Sequence, residues 1–333
     1  MSTLADTHPT LLDLSKRMDP DGKIAKIVEL LDATNEILED MVFTEANDTT
    51  GHRTTVRTGL PTPTWRKLYG GVQPTKSRTA QVTESIGMLE AYTEVDVELA
   101  NLNGNKAAFR FSEEIPHIEG MNQEMASTLF NGNEATEPEA FTGFAARYND
   151  QTAVNAENIL TDAATPDSTD NSSIWLVVWG PNTVHGIVPK GSMAGLEQND
   201  LGEQTVMAGD TLADGYYQAY RSHYKWKAGL SVRDWRYVVR VQIDQENLLK
   251  DASSGPDLID LLAQAVELIP NLKAGRPAFY MNRTVRSYLR RQMQEKIKSS
   301  TLSYDMIGGK HVLFFDGVPV RRCDALVNNE TGI

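Results

Sequence analysis

Between Gly51 and Thr83 the chain carries Arg53, Arg57, Arg66, Lys67, Lys76 and Arg78 and no acidic residue, inside a sequence of net charge −13. Everything outside that stretch therefore stands at −19. Thr54 to Thr58 and Ser77 to Thr83 are rich in Thr, Val and Arg, and they enclose Gly59, Pro61, Pro63, Gly70, Gly71 and Pro74. This pattern predicts two strands that leave and return through a broad tip. Only Val56 and Val82 are aliphatic in those strands. A two-stranded ribbon with no apolar face is at best marginally stable in water, so something outside the subunit must hold it down. A basic arm on an acidic body lets identical copies attract one another, and a head-to-tail contact of that kind builds rings or shells. The competing reading is a solvated surface loop of chance composition.

At 333 residues the chain is long enough for two domains, or for one domain with extensions. The single cysteine, Cys323, excludes an intramolecular disulfide, and without a CxxC pair no thiol metal site is expected. No apolar run reaches the roughly 18 residues of a membrane span. The N-terminus has neither a basic n-region nor an apolar h-region, so no signal peptide is expected. A pI of about 5.0 argues against a protein that coats nucleic acid, although local basic patches remain compatible with it.

Residues 1 to 20 suggest an extended arm. With Asp21 as N-cap, Ile24, Ile27, Val28, Leu31 and Leu38 then share one face of a helix to about Met41. Eleven acidic against four basic residues in the first fifty make this arm a counterpart to the basic hairpin. Gly87 to Leu99 alternates like a half-buried strand. Phe111, Ile115, Ile118, Met125 and Leu129 form a helical stripe up to Asn131, with a kink expected near Phe111 to Pro116. Glu113, Glu114, Glu119 and Glu124 lie on its polar parts, available to a neighbour's arginines. Residues 131 to 172 are loop-like. Ile174 to Trp179 predicts a buried strand that forms a hairpin with Val184 to Val188. Leu196 to Asp214 is turn-prone, and two long strands, Tyr217 to Trp226 and Ser231 to Asp244, flank Ala228-Gly229. A composition shift near Lys250 to Pro256 opens a regular α/β unit: a helix from Asp257 to Leu268, a strand at Pro277 to Met281, a helix from Arg283 to Ser299, and strands His311 to Phe315 and Val318 to Arg321 joined through Asp316-Gly317.

The sequence contains no GxSxG, GxxxxGK[ST] or HExxH, and no GxGxxG following a strand. His8, His52, His117, His185, His223 and His311 are scattered, with no pair at ligand spacing. Gly308-Gly309-Lys310 precedes a strand rather than a helix, so it reads as a turn and not a phosphate cradle. Tyr216, Tyr217, Tyr220, Tyr224, Trp226 and Trp235 read as sheet core or interface against the rival of base or sugar stacking. Arg283, Arg286, Arg290, Arg291, Lys296 and Lys298 leave open a contact with packaged nucleic acid or a solvated, inter-subunit face. No enzyme activity, cofactor or metal is expected.

The order of these parts resembles the major capsid proteins of tailed bacteriophages with the Hong Kong 97-type fold. The segments DPDGKIAKIVELL, GHRTTVRTGLPTPTWRKLYGGVQPTKS, EGMNQEMASTLFNGN and DGVPVRRCDALV are similar to those of the epsilon-fifteen-like, short-tailed group. The resemblance covers nearly the whole chain. It implies an α+β fold with an N-terminal arm (1–49), an extended loop (50–88), a peripheral domain (89–250) whose spine helix runs over about 105–131, and an axial domain (251–333). The candidate long strands precede the axial unit, which implies a permuted connectivity. The implied function is self-assembly into hexamers and pentamers of an icosahedral head that encloses double-stranded DNA contacted without sequence specificity. A separate scaffolding protein, a portal and a cement protein are the implied partners, with assembly in the host cytoplasm and no membrane. An encapsulin-like compartment shell of the same fold is the near alternative, and an enzyme of unknown type the distant one. The inter-subunit candidates are Arg53, Arg57, Trp65, Arg66, Lys67, Lys76 and Arg78 on one side and the four spine glutamates on the other. Lys67 and Lys76 stand where some relatives carry a crosslinking lysine, but no matching acidic and Asn set accompanies them.

Overall fold

Nine consecutive residues, Asn171–Trp179, are all buried in the computed structural model. Their side chains alternate between two layers: Ile174, Leu176 and Val178 enter an aliphatic core, while Trp175 and Trp179 meet Phe144 across an aromatic one. A strand covered on both faces has no solvent side to show, hence the unbroken apolar run from Ile174 to Trp179 after the buried polar Asn171, Ser172 and Ser173. The structure describes residues 9–16, 33–48, 51–104, 106–162, 169–208, 215–249, 255–295, 302–307 and 310–333.

The helices are α1 (Leu11–Lys16), α2 (Ile37–Asp40), α3 (Val97–Asn101), α4 (Lys106–Asn131), α5 (Phe144–Arg147), α6 (Leu258–Leu268) and α7 (Arg283–Glu295). The strands are β1 (Phe43–Glu45), β2 (Gly51–Gly59), β3 (Arg78–Ser85), β4 (Gly87–Asp96), β5 (Ile159–Asp162), β6 (Asn171–Trp179), β7 (Val184–Val188), β8 (Leu196–Met207), β9 (Tyr216–Val232), β10 (Val238–Asp244), β11 (Arg276–Met281), β12 (Leu302–Ile307), β13 (Lys310–Phe315) and β14 (Val318–Arg322). Contacts divide the chain into two units. The first draws on Met1–Ala33, Met88–Met125 and Gly195–Lys227, and the second on Thr34–Gly87, Ala126–Ala194 and Ala228–Ile333.

In the second unit β6 pairs antiparallel with both β11 and β10, and the sheet continues through β14, β13 and β12 on one side. Asp257 caps α6 by accepting from the Asp260 amide. Leu258, Leu262, Ala265, Val285 and Leu289 of α6 and α7 then cover the face carrying Leu176, Val241 and Phe279. Gln292 ties the two helices together, accepting from the Leu258 amide and donating to the Pro256 carbonyl. On the opposite face Arg240 lies over Trp175 and pairs with Glu330, closing the C-terminal segment onto the sheet.

In the first unit, β8 pairs with the N-terminal half of β9 over a long antiparallel register, bulged between Asp200 and Gly202, where Gly202 takes a left-handed φ of 68°. Leu14 of α1, Val95, Ala100, Phe109 of α4 and Tyr220 form the small core of this unit.

Several sequence expectations are corrected. Leu11–Lys16 is helical within the expected arm. The helix expected up to Met41 is interrupted: Asn35 forms a bridge with Cys323, and its Oδ1 accepts from the Ala325 amide, so extended backbone precedes α2; residues 17–32 of that expectation lie outside the described residues. The strand from Gly87 stops at Asp96, whose carboxylate caps α3. Residues 131–172 contain α5 and β5.

β6 and β7 form no hairpin. They meet only at Trp179 and Val184, in parallel, because the Thr183 hydroxyl bonds the Val178 carbonyl and turns the chain towards β1 and β9. The turn-prone stretch from Leu196 is mostly strand β8; its side chains are largely solvent-facing, so no apolar alternation announces it. β9 runs straight through Ala228-Gly229, since a Cβ at Gly229 would lie 2.5 Å from the Ser85 carbonyl oxygen: the glycine permits a close approach and makes no turn. β12 was not foreseen. Helix α7 is described to Glu295, and both Gly308-Gly309 and the lysines Lys296 and Lys298 lie outside the described residues.

Candidate inter-subunit docking surface

Strands β2 and β3 pair antiparallel from Gly51↔Ser85 to Gly59↔Arg78, with an irregularity between Arg57 and Gly59. They form a sheet of their own. Most of their side chains face solvent, and Thr54 and Glu84 are the buried side chains. Beyond Gly59 the tip holds a turn in which the Gly70 amide bonds the Lys67 carbonyl. Trp65 and Tyr69 are fully exposed there, and Leu60 and Leu68 nearly so. Tyr69 takes a left-handed φ of 61°, rare for a residue with a side chain.

Arg53, Arg57, Arg66, Lys67, Lys76 and Arg78 are all exposed. Asn47 clasps the Arg53 backbone from both sides, and the Arg53 guanidinium reaches Asp48 at 3.8 Å. The spine glutamates are used unevenly. Glu114 accepts from Ser222 and lies 3.7 Å from Arg110, while Glu119 accepts from Gln123 at 2.7 Å. Both already serve the first unit. Glu124 lies at an open groove of about 370 Å³ lined by Leu89, Ala91, Pro116, Gly120 and Met121. The expected stripe divides: Met125 and Leu129 are buried, whereas Phe111 is 63 % and Ile118 37 % exposed, and Phe109 takes the core position instead. Position on a helical face does not reveal which neighbours a given turn possesses.

The root of the hairpin was missed by sequence reasoning. Glu84 makes a two-pronged ion pair with Arg147 at 2.8 and 2.5 Å, and Arg147 also donates to the Thr142 and Leu230 carbonyls. Alongside, the His52 ring meets the His185 ring edge-on at 5.6 Å. Burial, the neighbouring His52 and Arg233 push the His185 pKa down to about 4. The His52 pKa is also lowered, by burial and Arg233, against a smaller opposing pull from Glu84. Among the described residues no group of histidine, cysteine and carboxylate side chains could hold a metal ion.

The sequence profile of the family described as Major capsid protein GP7 matches residues 19–333. The chain belongs to this family of major capsid proteins. A chain of the near-atomic structure of bacteriophage Epsilon15 is 36 % identical, with a TM-score of 0.80, and the match covers 100 % of this chain and 99 % of that one. The capsid of bacteriophage JBD30 matches at 8 % identity and a TM-score of 0.47, over 89 % of this chain and 92 % of that one. The SrpI encapsulin complex of Synechococcus elongatus matches at 11 % identity and 0.42, over 70 % and 95 %. No curated protein sequence matches the chain. The expected α+β capsid fold is thus observed, and the protein is a phage capsid protein, a component of the virion shell that associates with copies of itself. Its family is structural and not a class of enzymes.

Proposed function

We propose that the β2–β3 hairpin is the element through which one capsid subunit docks on the next. Trp65, Leu68 and Tyr69 become buried at that contact, and Arg53, Arg57, Arg66, Lys67, Lys76 and Arg78 steer the tip towards acidic surface on the neighbour, where Glu113, Glu114, Glu119 and Glu124 are the candidates. The observation that carries this reading is the tip: large apolar side chains at full exposure on a ribbon without a core. Such surface is removed from water only by a partner. Repeated around a ring, the contact closes hexamers and pentamers, and these close an icosahedral head around double-stranded DNA held without sequence specificity. A scaffolding protein, a portal and a cement protein complete that assembly in the host cytoplasm, with no membrane involved. In the same reading residues 1–49 are the arm, 50–88 the extended loop, 89–250 the peripheral domain and 251–333 the axial domain.

Because Glu114 and Glu119 are hydrogen-bonded within their own subunit, the apolar tip supplies more of the docking energy than the charges do. Trp65→Ala is therefore expected to reduce particle yield by at least tenfold, read by sedimentation, with unchanged circular dichroism and melting of the unassembled subunit. Normal yield from Trp65→Ala would remove the tip from the contact.

A further inference from the structure

Among the described residues the ribbon is buried at its base, at Gly51, in the His52↔Glu84 row and at Thr54 opposite Val82, so its angle is set at that root. Among the described residues the root is fastened by polar groups. Glu84, 6 % exposed, is gripped by Arg147, which at the same time holds the Thr142 and Leu230 carbonyls, so a single guanidinium joins the hairpin, the segment before α5 and strand β9. Arginine's planar fork fixes direction as well as distance, and a lysine could not reproduce both prongs.

On the other strand His52 abuts His185, which is 1 % exposed and whose Nδ1 has no hydrogen-bond partner among the described residues. The charged groups around this pair are Arg233, Arg147 and Glu84, with Arg53 and Asp48 at the rim. One buried carboxylate, already matched by Arg147, thus faces two arginines and two neutral imidazoles.

We propose that Glu84 and Arg147 are positioning residues that fix the direction in which the docking tip leaves the subunit, and that His52 and His185 make this root an acid-released hinge. The proposal rests on the docking role of the tip but concerns the unassembled chain, so the two fail separately. A protonated His185 would gain a buried N–H at Nδ1 with nothing to accept it and would stand beside Arg233 and a charged His52. The closed root holds the neutral rings. Its stability is whole above the ordinary histidine pKa of 6.5 and is lost as pH falls towards the folded value of about 4. Each unit by which pH falls in that window raises the opening constant up to about tenfold through His185, on the order of 100-fold by pH 4.5, and His52 acts in the same direction.

The test is a spin-label distance measurement on the full chain, with Thr64→Cys at the tip and Lys273→Cys on the exposed rim of the second unit. Cys323 stays unlabelled, because it is buried and its thiol is pushed up to about 12. At pH 7.5 one narrow distance distribution is expected. It should broaden in Glu84→Gln/Arg147→Met and recover only in part in Arg147→Lys. The unsubstituted root should broaden reversibly at pH 4.5, and His52→Gln/His185→Gln should stay narrow there. A narrow distribution in Glu84→Gln/Arg147→Met overturns the positioning role. A narrow distribution at pH 4.5 with the histidines present, a comparison that needs no root variant to fold, overturns the acid release.

Discussion

Strands β6 and β2 are each nine residues long, and they put their side chains to opposite uses. Every residue of β6 is buried, between α6 and α7 on one face and the rings of Phe130, Phe144 and Tyr148 on the other. In β2 most side chains meet water, and among the described residues the strand pairs with β3 alone. Both are paired antiparallel along nearly their whole length, β2 with one irregularity between Arg57 and Gly59, so pairing does not account for the difference. The difference lies in where apolar area leaves water: within the chain for β6, and only in contact with another molecule for the tip that β2 supports. On the docking role proposed for the tip, the same polymer carries one strand that makes the subunit and one that supports the contact between subunits. Variants should separate the two outcomes cleanly.

The sharpest separation comes from Trp175. Its ring touches Phe130, Phe144 and Tyr148 and lies under Arg240, so Trp175→Ala opens a large cavity and uncovers a cation. A loss of about 3 to 5 kcal/mol is expected in urea unfolding of the subunit, with particle yield falling only because less protein is folded. Should Trp175→Ala keep its unfolding midpoint while losing assembly, the division between the two strands would collapse. Gly229→Ala probes the place where the regions touch, since its Cβ would lie 2.5 Å from the Ser85 carbonyl at the foot of the hairpin and 2.9 Å from Ile187. The foot must shift, costing about 1 to 3 kcal/mol in the same unfolding experiment, and particle yield should fall by more than that loss of folded protein explains. Equal falls in folding and assembly would mean that the hairpin is an ordinary part of the core.

What the sequence disclosed follows from the same physics. The apolar run of β6, the capped amphipathic helix α6 and the Thr-, Arg- and Gly/Pro-marked hairpin each announce themselves within a dozen residues. β8 does not, because a ribbon stabilised by cross-strand pairing to β9 needs no alternation of its own. Phe111 and Ile118 share a helical face with true core residues and yet are exposed, since periodicity gives the face but not what covers it. Glu84 and Arg147 lie 63 residues apart, and nothing local to either marks them as partners. The basic side of the proposed docking surface was therefore legible from charge alone, whereas the Glu84–Arg147 pair at its root was not.

The smallest expected effect belongs to the arginines. Arg53 and Arg57 are exposed, and Arg53 is at most loosely engaged, with Asp48 3.8 Å away. An exposed pair is worth about 0.2 to 1 kcal/mol, too little to alter subunit stability, but a shell repeats the contact in every copy. Arg53→Glu/Arg57→Glu should therefore leave urea unfolding within about 0.5 kcal/mol of the parent while slowing assembly. Raising salt towards 1 M shortens the screening length to about 3 Å and should slow the parent while leaving the variant nearly unaffected. If the tip dominates, the variant still reaches the parent's final particle yield, only later, because charges at the rim of a contact chiefly change the rate of encounter. Light scattering through the first minutes, followed by sedimentation at the endpoint, distinguishes a slower approach from a weaker shell. A lower endpoint with an unchanged initial rate would assign the arginines to the contact itself and reverse the order of importance between tip and charge.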